Sequence, residues 1–270
     1  MPRNASTDPD SGLRYYIWKG ERLLSVTSLR KVIGMPFPLH NWVVKRSIIA
    51  AFENGVAAEA AGEVMADRPI LDSLDPLRMS AIRKASMGER DSAADRGTAV
   101  HAAIEQGATP ADVDPALAPY VRHYTDACRT LGIVPLVQEA QVWNPDLGYA
   151  GSLDMLGTVF TGTENEALGI IDLKTGKGLY LDHVLQTLAY GMAEFVGKDD
   201  LIDEAATELL RKVNGLFILH LTETGWEFLE LAPDPAAWKA FESMARLANF
   251  LARNDTITPY ISRQFTGAAS

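Results

Sequence analysis

Cysteine is nearly absent from this 270-residue chain, which contains only Cys128. One thiol excludes an internal disulfide framework, and it excludes any four-cysteine zinc or iron–sulfur site made by this chain alone. Long apolar runs are also missing: no window approaches the roughly 20 residues that span a bilayer, so no membrane role is indicated. Met1 to Gly12 is polar and mixed in charge. It lacks the apolar stretch of a secretory signal, and the expected location is the cytoplasm. Positive charge is scarce, with 25 Lys and Arg against 35 Asp and Glu and a net charge of −10. That balance argues mildly against nucleic acid, because counterion release rewards proteins that offer many cations to phosphates. Carboxylates gathered at a metal site enter the same sum, however, and a bound cation reverses their effect on an approaching phosphate. Gly176-Lys177-Gly178 lacks the upstream glycine and the Ser or Thr of a nucleotide-hydrolysing phosphate loop. No internal repeat or low-complexity tract is present.

The remaining composition, 47% hydrophobic and 22% charged, is that of an ordinary globular chain with one sizeable core. Leu13 to Thr27 reads as a hairpin about Lys19-Gly20-Glu21, after which Ser28 is placed to cap a short helix. Helical spacing follows from His40 to about Ala66, a further helix opens at Asp75-Pro76, and another carries Arg96, Gly97, His101 and Glu105. Asp114-Pro115 opens the next helix, which closes at Gly132. The period then changes to alternation in three runs, Val134 to Trp143, Tyr149 to Phe160 and Leu168 to Lys174, read as a meander. Asp182 is placed to cap a helix through Val196, followed by a helix from Asp200 to Lys212. Strands at Gly215 to Leu221 and Trp226 to Leu231 and a final helix from Pro235 to Ala252 complete the pattern. This order predicts an α/β sandwich with a mixed sheet. The expected division is an N-terminal hairpin and helical elaboration over 1–90, a core over 91–253 and a polar tail over 254–270.

The connections between the three strands carry the chemical signal. Facing residues of an antiparallel hairpin are set by the centre of its turn. A turn centred near Thr163 places Asp154 opposite Asp172, and one centred between Asp146 and Leu147 places Glu139 opposite Asp154. Three carboxylates in a row about 5 Å apart repel one another, so a sheet with a purely structural role would avoid them, and a divalent cation explains them. Alternation puts Lys174 on the face of Asp172 and turns Leu173 to the core. Hard oxygen ligands beside an ammonium suit phosphodiester hydrolysis by water: Mg²⁺ or Mn²⁺ polarises the phosphoryl oxygen, and Lys174 stabilises developing charge or orients the water. His101 follows Gly97 by one helical turn, and its imidazole could add a nitrogen ligand that favours tolerance of Mn²⁺. Arg78, Arg83, Lys84, Arg90 and Arg96 form the main basic cluster, which reads as a solvated helix face. His40, His123, His183 and His220 have no such context and read as structural or solvent-facing.

Arg96-Gly97-Thr98-Ala99-Val100-His101, Glu139, Gly151-Ser152-Leu153-Asp154, Asp172-Leu173-Lys174 and Gln186-Thr187-Leu188-Ala189-Tyr190 follow a familiar order. Over Arg96 to Tyr190 the chain resembles RecB-like nucleases of the PD-(D/E)XK superfamily, in the branch of phage and CRISPR-associated exonucleases. The resemblance implies a restriction-endonuclease-like core. It also implies a metal held by His101, Asp154, Asp172 and the Leu173 carbonyl, Lys174 as the catalytic lysine, and Gln186 with Tyr190 lining the site. Glu139 matches an acidic motif position, and Arg96 and Lys177 are expected to contact DNA. The cysteines that hold an iron–sulfur cluster in the CRISPR-associated members are missing, so no cluster is expected. Asp172 stands where Glu is commoner and shortens that ligand by one methylene. The expected function is a Mg²⁺- or Mn²⁺-dependent deoxyribonuclease, more an exonuclease than an endonuclease, acting on single-stranded or duplex DNA ends in recombination, repair or phage DNA processing, with a helicase or recombination protein as a partner. The alternatives are a non-catalytic DNA-end-binding subunit and an RNA-processing nuclease.

Overall fold

The computed structural model describes residues 5–9, 12–32, 95–232 and 235–253. The helices expected over 40–66 and from Asp75, the cations Arg78, Arg83, Lys84 and Arg90, His40 and the polar tail lie outside the described residues. The described strands are β1 (Ala5–Thr7), β2 (Arg14–Trp18), β3 (Glu21–Ser25), β4 (Val134–Asn144), β5 (Tyr149–Val159), β6 (Ala167–Lys174), β7 (Phe195–Lys198), β8 (Leu201–Ile202), β9 (Gly215–Leu221) and β10 (Trp226–Glu230). The described helices are α1 (Val26–Val32), α2 (residues 95–105), α3 (Ala118–Leu131), α4 (Leu181–Gly191), α5 (Glu204–Arg211) and α6 (Pro235–Arg253).

All ten strands join one mixed sheet. β4, β5 and β6 form the antiparallel meander, while β6 pairs in parallel with β9, and β9 pairs antiparallel with β10. The hairpin of β2 and β3 is part of this sheet, because β3 runs parallel to the start of β5 through Leu24↔Tyr149 and Ser25↔Ala150. Aromatic packing holds it there. Trp143 lies 5.7 Å from Tyr16 and 4.8 Å from Trp18 between ring centroids, and its indole N–H donates to the Gly197 carbonyl at 2.7 Å. A buried indole needs such an acceptor, so one side chain ties the hairpin to both β4 and β7.

Alternation along β6 sends neighbouring residues to opposite faces of the sheet, each face closing its own core. Ile170 packs with Val26 and Leu29 of α1, Ala189 and Tyr190 of α4, and Phe241 and Ala245 of α6. Ile171 and Leu173 pack with Val100 and Ile104 of α2 and Tyr120 and Ala127 of α3. Fully burying a side chain of this size contributes roughly 1.5–3 kcal/mol, which makes these two layers the main source of rigidity beneath the meander.

Several boundaries differ from the sequence reading. Ser25, not Ser28, caps α1: its Oγ accepts the Ser28 N–H at 3.0 Å, whereas Ser28 Oγ accepts the Arg14 N–H at 2.7 Å. Asp114 caps only a preliminary turn through its bond from the Ala116 N–H. α3 itself starts at Ala118, with Pro119 in its first turn, and ends on Gly132 at φ 59°, a left-handed value that glycine adopts without strain. α4 starts after Tyr180 and stops at Gly191, and the apolar residues beyond it form β7 against β4. Asp203, through its bond from the Ala206 N–H, caps α5.

Candidate metal centre

The register places three acidic positions side by side on the meander. Ala140↔Leu153 and Met155↔Ile171 leave Glu139 facing Asp154 and Asp154 facing Asp172, with β5 in the centre. Glu139 has φ 48°, an uncommon backbone state for a residue with a Cβ, while the pairing of β4 with β5 keeps its register on both sides of it. From the helical layer, α2 contributes His101, whose Nδ1 lies 3.2 Å from Asp154 Oδ1 and 3.9 Å from Glu139 Oε1. One ligand atom from each of His101, Glu139 and Asp154 falls within 4.8 Å of the others, and all three residues are half-buried. Gly97 brings α2 this close, since a Cβ there would sit 3.0 Å from Thr175 Oγ1 at the end of β6.

Asp172 is wholly buried beside this group. Lys174 forms an ion pair with its Oδ2, and no other donor reaches either carboxylate oxygen of Asp172. Lys174 Nζ also donates to the Leu173 carbonyl at 3.3 Å, while the Leu173 N–H donates to Asp154 Oδ2 at 2.7 Å. Asp154 and the Lys174–Asp172 pair are therefore linked through one backbone residue. Burial, and then the Asp154 charge, push the Asp172 carboxyl up to about 7, against the lowering effect of Lys174. Burial also tends to raise Asp154, but His101, Lys174 and the Leu173 N–H outweigh it and hold that carboxyl below its ordinary value. Burial lowers His101, and the carboxylates of Asp154 and Glu139 more than reverse this, pushing the imidazole up to about 10. The pair of Asp residues thus splits into one readily ionised and one reluctant carboxylate.

A second wall comes from α4. Gln186 Nε2 donates to the Tyr190 hydroxyl at 2.7 Å. Burial, followed by the charges of Asp172 and Asp154, holds the Tyr190 phenol well above its ordinary range, so it remains an O–H donor at the edge of the acidic group. Gly151 makes room for this ring: a Cβ there would stand 2.4 Å from Tyr190 Cε1. The glycine three residues before Asp154 in the Gly-Ser-Leu-Asp segment thereby has a steric reason.

The remaining expected site residues stand apart from the cluster. Arg96 places its guanidinium 5.9 Å from the Tyr120 ring centroid, with a buried Nε that has no hydrogen-bond partner. Lys177 is exposed in the loop after β6. Asp172 and the Leu173 carbonyl, both expected as ligands, are engaged by Lys174, and Glu139 rather than Asp172 completes the group within 4.8 Å. His220, read as structural or solvent-facing, is buried, and its Nε2 lies 2.7 Å from the Gly176 carbonyl, which fixes the loop that follows Lys174. Its position opposite Lys174 in the β6–β9 ladder depends on a long crossover and has no local sequence signal.

Two carboxylates and one imidazole, with the buried Asp172 carboxylate beside them, form a donor set that fits a hard or borderline divalent cation. A buried carboxylate whose one partner is an ammonium keeps lone pairs unsatisfied, and a divalent cation is a ligand that would satisfy them. Among the described residues no helix is long and apolar enough to cross a membrane. No protein-family model matches this chain, and no curated protein matches it.

Proposed function

We propose that this protein is a metal-dependent deoxyribonuclease with a restriction-endonuclease-like core, of the RecB-like type within the PD-(D/E)XK superfamily and without an iron–sulfur cluster. The observation that carries the reading is the buried Asp172–Lys174 pair set beside the His101–Glu139–Asp154 group. A structural ion pair has no need of three further titratable groups at the same spot, whereas hydrolysis of a phosphodiester uses both an anionic cradle and a fixed ammonium.

Mg²⁺ or Mn²⁺ held by Asp154, Glu139, His101 and Asp172 would polarise the phosphoryl oxygen and acidify a bound water. The chain's own residues do the rest. Lys174, largely buried and held between Asp172 and the Leu173 carbonyl, keeps a positive charge at the place where the phosphorane oxygens gain negative charge. The Leu173 N–H fixes the Asp154 carboxylate, so the ligand does not have to be ordered at the moment of reaction. Gln186 fixes the Tyr190 hydroxyl, and the buried Tyr190 ring lies near enough to Asp172 and Asp154 to feel their charges. A cytoplasmic enzyme acting on DNA ends in recombination, repair or phage DNA processing, beside a helicase or recombination partner, fits this chemistry.

The test is a product ladder from end-labelled single-stranded DNA, duplex DNA and RNA with Mn²⁺, Mg²⁺ or chelator. The reading expects metal-dependent cleavage of DNA that is lost with chelator. Cleavage of RNA alone, or DNA binding with no cleavage of any substrate, would overturn it.

A further inference from the structure

We infer that the loop between β6 and α4 carries a stacking platform for single-stranded DNA, with Tyr180 receiving a base and Lys177 meeting a neighbouring phosphate. The inference rests on the nuclease reading and narrows its substrate. Tyr180 is 59% exposed and Leu181 is 72% exposed, two large apolar side chains in sequence. An exposed apolar pair on the connection between the strand of Lys174 and the helix of Gln186 is a feature of binding sites more than of inert surface.

The loop is fixed at both ends. It leaves Lys174, is held at the Gly176 carbonyl by His220, and enters α4 where the Tyr180 N–H meets His183 Nδ1 at 3.3 Å. The Tyr180 ring is braced edge-on by His183 at 5.5 Å between centroids, and its hydroxyl lies over Gly178, where a Cβ would stand 3.7 Å away. The ring is thus ordered on one side and open on the other. Exposed Lys177 supplies a cation on the same loop.

Tyr180 is the extended residue at which α4 begins, six residues before Gln186 on the helix that carries the Gln186–Tyr190 pair. Inside a duplex the faces of the bases are covered by their neighbours, so an exposed ring stacks on the bases of an unpaired stretch and not on interior base pairs. Stacking on a single ring is indifferent to base identity, and no sequence preference is expected.

The experiment uses the full chain and fluorescent oligothymidylate, with Ca²⁺ in place of Mg²⁺ or Mn²⁺ during binding. Tyr180→Ala is expected to lose roughly 5- to 150-fold in single-strand affinity, with Tyr180→Trp retaining it. Affinity for a closed circular duplex should change less than about 2-fold, because a duplex without ends offers no free base face. An abasic scan distinguishes stacking from a role in folding. For the wild type, removing the one base that the ring holds should weaken binding, and Tyr180→Ala should be indifferent at that position. Mn²⁺ affinity and melting temperature serve as fold controls. Equal single-strand affinity of wild type and Tyr180→Ala, or no abasic-sensitive position in the wild type, overturns the platform while Mn²⁺-dependent cleavage by the wild type leaves the nuclease reading standing. A wild type that neither binds nor cleaves DNA overturns both.

Discussion

Asp172 is the residue whose replacement should stabilise the fold while removing the proposed activity. Its carboxyl is wholly buried, has no donor besides Lys174 and is pushed up to about 7 from an ordinary value of 3.8. The folded chain therefore holds the Asp172 proton more tightly than the unfolded chain does. The resulting penalty is small near pH 4, grows as the pH rises towards 7, and is fully present above that. A difference of about three units at about 1.4 kcal/mol each sets a ceiling of about 4 kcal/mol on the cost of ionising Asp172 in the folded state. Asp172→Asn removes this cost, but it leaves the Lys174 ammonium with a dipole in place of a charge, which offsets part of the gain. The net expectation is about 1–3 kcal/mol of added stability at about pH 8 with chelator present, or several degrees in melting temperature. Thermal or urea unfolding at about pH 5 and about pH 8 measures it, and the difference between variant and wild type should widen at the higher pH. Mn²⁺ should reverse the order, since it stabilises the protein that binds it more tightly. A variant less stable than wild type at about pH 8 in chelator, or a difference independent of pH, would refute the reasoning.

Lys174→Ala should lower the single-turnover cleavage rate by roughly 100-fold or more at saturating metal while changing DNA affinity far less, because the ammonium acts on charge that develops in the transition state. Rates and affinities measured on the same labelled substrate check this. Glu139→Gly should relieve a positive φ at a cost-free residue and add roughly 1 kcal/mol of stability, while weakening Mn²⁺ binding in titration calorimetry. His101→Ala should also weaken Mn²⁺ binding without unfolding the chain, and unchanged affinity would remove His101 from the site. Gly151→Ala should destabilise by about 1–3 kcal/mol, read as a lowered melting temperature, because its Cβ would overlap Tyr190 with a 2.4 Å contact.

The central meander was legible because its determinants are local. Pro145 to Gly148 and Thr161 to Glu166 are polar connections between alternating runs, and once the turn centres are known the facing of Glu139, Asp154 and Asp172 follows. The closeness of α2 was legible for a similar reason, since a glycine one turn before His101 leaves space that Thr175 occupies. The end of α4 was not. Ala193 to Val196 is a short apolar run that suits helix or strand, and its state is set by distant partners: Val142 and Trp143 pair with it, and Thr207 Oγ1 accepts the Val196 N–H at 3.0 Å. The capping serine shows the same limit, because Ser25 and Ser28 are chemically alike and only the Arg14 N–H, brought in by the hairpin, separates their roles.

The composition of the acidic group shows where register arithmetic stops. It places three carboxylates in a row but treats them as equivalent, and two non-local facts make them unequal. Glu139 leaves the regular strand conformation and shares the His101 group with Asp154, whereas Lys174, two residues along the same strand, pairs with Asp172. Both follow from charge. An imidazole from a separate helix can serve two carboxylates at the exposed end of the row, while the wholly buried carboxylate requires a cation that arrives on its own strand. The lysine at the second position after Asp172 is therefore placed by alternation alone, since an even spacing is the one that keeps both charges on the same face and lets the ammonium reach a carboxylate that receives no other donor.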